Sequence, residues 1–149
     1  MSLKAKINAA LLTAMKAKEE TTMSVLRLLK AAIMKFEVSG KEKGEASDEQ
    51  VLEIIGRELK QRKDSIVAYK KGGRVDLASK EEAELAVLKL YQPEQMSEDD
   101  VREVISQVIT QTGATSKADF GKVMGRVLAQ VKGKTDGQTV SRLVGELLK

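Results

Sequence analysis

Lysine and arginine supply most of the chemistry available to this chain. Between positions 57 and 74 stand Arg57, Lys60, Arg62, Lys63, Lys70, Lys71 and Arg74 against only Glu58 and Asp64, a net charge of +5. A second basic run carries Lys117, Lys122, Arg126, Lys132, Lys134, Arg142 and Lys149 against Asp119, Asp136 and Glu146, a net of +4. Cations at this density suit contacts to phosphate, which give affinity with little sequence information. The plainer use of such residues is a solvated surface. The intervening positions 94–112 are acidic, with Glu94, Glu98, Asp99, Asp100 and Glu103 against Arg102.

Other chemistries are excluded by what is missing. The 149 residues include no histidine, cysteine or tryptophan. There is therefore no thiol nucleophile, no imidazole base and no thiolate or imidazole metal ligand. The Ser-His-Asp and Cys-His arrangements are impossible within the chain, and no disulfide can form. Gly133-Lys134-Thr135 invites comparison with a phosphate-binding loop, but Leu128 stands where the first glycine of that motif is required. No strand precedes it either, so the nucleotide-hydrolase reading fails. Glu98, Asp99, Asp100 and Glu103 form no calcium-loop pattern and are explained by the dipole of the helix they begin; Glu81, Glu82 and Glu84 are read in the same way. No cofactor is expected. With only Phe36, Tyr69, Tyr91 and Phe120 as aromatics, the chain lacks a platform for stacking single-stranded bases. An RNA partner would be structured and read through shape and backbone.

The elements that must carry these residues are helical. One proline, abundant Ala, Leu, Lys and Glu, and apolar residues at spacings of three and four predict an all-α protein. Ser2 caps a first helix with Leu3, Ile7, Ala10, Leu11 and Ala14 inward, and a second runs from Glu20 to about Val38. Gly40 to Ala46 reads as a mobile loop. Ser47 with Gln50 is a capping box that opens a third helix from Asp48 to Lys71. Its segment Lys60-Gln61-Arg62-Lys63-Asp64-Ser65 has no apolar residue, so it either projects into solvent or touches something polar. A fourth helix, from Val75 to Leu90, has Leu77, Ala78, Leu85 and Leu88 inward, so residues 1–92 form antiparallel helical hairpins.

Pro93 marks a boundary. Beyond it, residues 93–149 form a small three-helix bundle: Ser97 caps the first helix, Ser116 the second and Asp136 the third. The second should bury Phe120, Val123, Met124, Val127, Leu128 and Val131, and the third Val140, Leu143, Val144 and Leu147. Gly121 and Gly125 lie four apart on one helical face, a pattern best read as tight helix packing, with ligand contact the alternative. No apolar run exceeds four residues, so neither a membrane span nor a signal peptide is expected and the compartment should be the cytoplasm.

Several segments, in order, resemble the GatB/YqeY family over essentially the whole chain. They are Arg27-Leu28-Leu29-Lys30-Ala31-Ala32, Glu58-Leu59-Lys60-Gln61-Arg62-Lys63-Asp64-Ser65, Tyr69, and Gly73-Arg74-Val75-Asp76-Leu77. Glu81 to Glu84, Tyr91-Gln92-Pro93-Glu94-Gln95, Asp119-Phe120-Gly121-Lys122-Val123-Met124 and Lys132-Gly133-Lys134-Thr135-Asp136-Gly137 continue the series. Gln92 departs from the pattern, since the family more often has leucine before the proline. The resemblance implies a stand-alone relative of the tail of the B subunit of tRNA-dependent amidotransferase. That enzyme is a carbon–nitrogen ligase that uses glutamine as nitrogen donor to convert misacylated Glu-tRNA or Asp-tRNA. Its tail is an all-helical appendage that helps hold tRNA. The implied role here is a tRNA-binding accessory without its own catalysis, and the alternative is an adaptor for an amidotransferase or another translation-related protein. Family segments and basic runs coincide at Lys60, Arg62, Lys63, Arg74, Lys122, Lys132 and Lys134, which are the expected RNA contacts.

Overall fold

The computed structural model describes residues 1–40 and 44–148; of the expected loop between Gly40 and Ala46, Lys41, Glu42 and Lys43 lie outside the described residues. Helices α1 (Leu3–Ala17), α2 (Glu20–Ser39), α3 (Asp48–Lys71) and α4 (Val75–Lys89) come first. Helices α5 (Glu98–Thr112), α6 (Phe120–Val131) and α7 (Gly137–Leu147) follow, with a 3-10 turn at Lys117–Asp119 leading into α6. No strand occurs among the described residues. The chain divides into two compact units, Met1–Gln92 and Pro93–Lys149.

Short polar side chains start most of these helices by satisfying amides that have no partner inside the helix. Ser2 accepts from the Ala5 amide at 3.1 Å, Ser97 from Asp100 at 3.1 Å and Asp136 from Thr139 at 2.7 Å. At Ser47 the capping box is complete: its hydroxyl accepts from the Gln50 amide, and the Gln50 side chain accepts from the Ser47 amide. Gly113 ends α5 in the left-handed conformation at φ 69°, where a side chain would be strained. Lys18 ends α1 in the same region at φ 56° without that advantage.

In the N-terminal unit the core is aliphatic at one level. Ile7, Leu11, Val25, Leu26, Leu29, Ile33, Val51, Ile55, Leu59 and Leu88 are buried against one another. Glu37, near the end of α2, ties the chain entering α3 to α1: its carboxylate accepts from Lys4 Nζ and from the Ala46 amide, both at 2.8 Å. The Lys4 hydrogen bond, followed by that of Ala46, holds the Glu37 carboxyl below its ordinary range.

In the C-terminal unit, Val101, Ile105, Val108, Val123, Val127, Val131, Val140, Leu143, Val144 and Leu148 form the core. Two expected core residues lie elsewhere: Leu128 and Leu147 are each 38 % exposed. Leu148 takes the inward place because the helix stops at Leu147 and the next residue is extended, which redirects its side chain. Ser116 caps the 3-10 turn rather than α6 itself. The segment before α5 is bound to the α6–α7 turn. The Met96 amide donates to the Lys134 carbonyl at 2.9 Å, and Gln95 Nε2 donates to the carbonyls of Pro93 and Gly133 at 2.8 and 2.9 Å.

Candidate nucleic-acid interface

The polar stretch of α3 is explained inside the N-terminal unit. Arg62 is buried, and its guanidinium donates to Glu84 and, at 3.1 Å, to Glu81, both on α4. Glu84 is buried as well. The polar group that this segment was expected to touch is therefore a pair of carboxylates within the chain, and Arg62 is withdrawn from any outer surface. The same geometry corrects the dipole reading of Glu81, Glu82 and Glu84. They lie in the middle of α4, where the end of the helix dipole has no reach, and they answer cations of α3. Glu82 completes the set by pairing with Lys70 at 2.8 Å. One α3 turn before Arg62, burial pushes the Glu58 carboxyl up, with the Arg62 charge opposing.

Lys60 and Lys63 remain exposed on α3, on either side of Arg62, and no ion pair holds either among the described residues. Arg74 is exposed at the start of α4 but is bound to Asp76, with nitrogen–oxygen distances of 3.3 Å, and this contact holds the Asp76 carboxyl below its ordinary range. The N-terminal patch thus keeps Lys60 and Lys63 uncommitted, Arg74 partly neutralised and Arg62 internal.

In the C-terminal unit α6 divides into two faces. Val123, Val127 and Val131 are buried, whereas Gly121, Lys122, Gly125, Arg126, Leu128 and Ala129 are exposed. A side chain added at Gly121 or Gly125 would meet nothing within 4 Å. The tight helix packing expected at these glycines is absent: each costs the helix roughly 1 kcal/mol relative to alanine, and no neighbour among the described residues uses the space. The outcome is a strip of bare backbone edged by Lys122 and Arg126. At its C-terminal end stand Lys132 and Lys134, both exposed. Lys122 and Lys132 are ten residues apart, about 15 Å along the helix axis. Lys122, Arg126 and Lys134 have no ion-pair partner among the described residues. Leu128, Ala129, Lys132, Gly133 and Thr135 line a shallow hollow beside the turn. Arg142 is different: Glu98 at 2.6 Å and Glu146 at 3.2 Å neutralise it, and the Glu98 hydrogen bond above all raises its pKa.

The family model described as Yqey-like protein matches residues 4–148. The chain belongs to the YqeY-like family. An uncharacterized protein of Schizosaccharomyces pombe is similar to it, 32 % identical over 96 residues that cover 64 % of this chain and 76 % of the yeast protein. The basic residues expected to contact RNA all lie within the matched residues. Only the structure separates Arg62 from the rest. Among the described residues no helix is long and apolar enough to cross a membrane, and no group of three acidic side chains is placed to hold a metal ion.

Proposed function

We propose that this YqeY-like protein is a cytoplasmic RNA-binding accessory without catalysis of its own, and that it holds the backbone of a structured RNA, tRNA in the first instance, against the outer face of α6. One observation carries the reading: Gly121 and Gly125 leave the α6 backbone bare beside the uncommitted cations Lys122 and Arg126. Removing Cβ at two adjacent turns lets a phosphodiester chain approach the helix closely, and Lys122 and Arg126, one turn apart along one edge of the strip, then meet successive phosphates. Lys132 and Lys134 extend the cationic row, and Lys60 and Lys63 of the N-terminal unit offer a second set of phosphate contacts. Recognition by backbone and shape fits a helix whose one aromatic, Phe120, packs against the core. The reading also agrees with the resemblance of the chain to the tRNA-holding tail of the glutamine-dependent amidotransferase, an association with carbon–nitrogen ligation rather than the performance of it.

Binding of bulk tRNA measured across a salt series tests this. Affinity should fall steeply between about 50 and about 200 mM salt as counterions are released. Lys122→Glu combined with Arg126→Glu should weaken binding by at least about tenfold and flatten the salt slope, while thermal unfolding stays unchanged. Salt-independent affinity, or full binding by the double variant, would overturn the proposal.

A further inference from the structure

Helix α2 is apolar on two sides. Its inner side buries Val25, Leu26, Leu29 and Ile33. On its outer side Leu28 is 54 % exposed, Met34 53 % and Val38 75 %, with Ala31 exposed between them. Single exposed aliphatics are ordinary on a protein surface. Here they recur at spacings of three, three and four, so they form one stripe over about 15 Å, three turns of helix. Arg27, Lys30 and Lys35 stand among them, all exposed and with no ion pair among the described residues. The acids of α2 do not balance them. Glu20 lies in the first turn, and Glu37 is committed to Lys4 and the Ala46 amide.

We infer that the outer face of α2 docks an acidic amphipathic helix of a partner protein. Leu28, Ala31 and Met34, continued by Val38, would receive the partner's apolar stripe, and Arg27, Lys30 and Lys35 would meet carboxylates on its flanks. Charge decides among the possible occupants. A second copy packed α2 against α2 would set these three bases against their own equivalents, a repulsive arrangement. A phosphate backbone would satisfy the bases but leave three large aliphatic side chains against charge. A lipid surface is favoured by exposed aromatic anchors, whereas the one aromatic of α2, Phe36, packs against the core. An acidic helix with an apolar seam satisfies both halves of the face. The RNA surface proposed on α6 belongs to the other compact unit.

The experiment uses the full chain and two synthetic 18-residue peptides with the same leucine stripe, one bearing glutamates on its flanks and one bearing lysines. The glutamate peptide should bind, with its amide shift changes centred on residues 27–38, and should bind at least about tenfold more tightly than the lysine peptide at low salt. Met34→Asp should abolish binding, and because the side chain is exposed the fold should survive. Arg27→Glu with Lys35→Glu should invert the preference toward the lysine peptide, a result that damage to the fold could not produce. Equal binding of the two peptides, binding of neither, or shift changes elsewhere would overturn the inference. So would binding to phosphatidylglycerol vesicles lost in Met34→Asp, or a concentration-dependent dimer lost in the same variant.

Discussion

In the N-terminal unit the helix with the most lysines and arginines turns its central arginine inward; in the C-terminal unit α6 turns both of its cations outward. Arg62 on α3 is buried between α3 and α4 against Glu84 and Glu81, so the hairpin is closed partly by charge. The C-terminal core is closed by valine, isoleucine and leucine, with no buried charge beside them among the described residues, and Lys122 and Arg126 on α6 are left over. A high local density of lysine and arginine therefore has two physical meanings. Where carboxylates stand at matching heights on the neighbouring helix, the cation is a packing element. Where the carboxylates of the neighbouring helices are turned to other cations, as Glu98 and Glu146 are to Arg142, it faces solvent and is available for binding.

The largest test of this contrast is Arg62→Met. It leaves Glu84 as an uncompensated buried carboxylate, which typically costs 3–5 kcal/mol, about what a small domain can lose before it unfolds. Both tyrosines, Tyr69 and Tyr91, lie in the N-terminal unit and there is no tryptophan to mask them, so tyrosine fluorescence in a urea titration reports that unit alone. Arg62→Met should shift the tyrosine transition strongly, and adding Glu84→Leu should recover most of the loss. An unshifted transition would show that the buried pair holds nothing together.

A smaller effect of opposite sign is expected from α6. Gly121→Ala and Gly125→Ala should each stabilise the C-terminal unit by about 0.5–1 kcal/mol, since each side chain enters open space on a helix. The same changes should weaken tRNA binding, because the methyl groups occupy the path of the phosphate chain. Stabilisation with tRNA affinity intact would separate the glycines from the binding surface.

The smallest effect concerns Glu58, whose carboxyl burial raises. A raised carboxyl pKa means that the folded chain holds this proton more tightly than the unfolded chain does. Its contribution to stability is present in full below the ordinary value of 4.5 and is lost as pH rises through the folded pKa. Glu58→Gln should therefore raise the melting temperature slightly at pH 7 and leave it nearly unchanged at pH 4. Melting curves at the two pH values decide it.

The helices were legible in the sequence because their starting signals are local: Ser2, Ser47 with Gln50, Ser97 and Asp136 each cap within three residues. The inward stripes were legible for the same reason, down to Val123, Val127 and Val131. What escaped were properties that belong to pairs of elements. Arg62 and Glu84 are far apart in sequence, and no periodicity announces that they meet. Gly121 and Gly125 looked like a packing face because a helical wheel shows which residues share a side, not whether a neighbour occupies it. Leu147 and Leu148 exchanged places because the helix stops between them. The cations proposed to meet RNA are readable in the sequence, while the uncovered backbone beside Lys122 and Arg126 is visible only in the open space at the glycines.

The hydrogen bonds from Gln95 and Met96 to the α6–α7 turn make two distant stretches share one opening event. The amide of Lys134 is bonded to the Val131 carbonyl, and its own carbonyl takes the Met96 amide. The Met96 amide is protected only while the turn holds the Lys134 carbonyl in place, so loosening of the turn exposes both stretches. In hydrogen exchange, the chain just after Pro93 and the turn bearing Lys132 and Lys134 should exchange as a single slow unit, despite almost forty residues between them. Cations held on such a turn meet a ligand already in place, so little of the binding free energy is lost in ordering them.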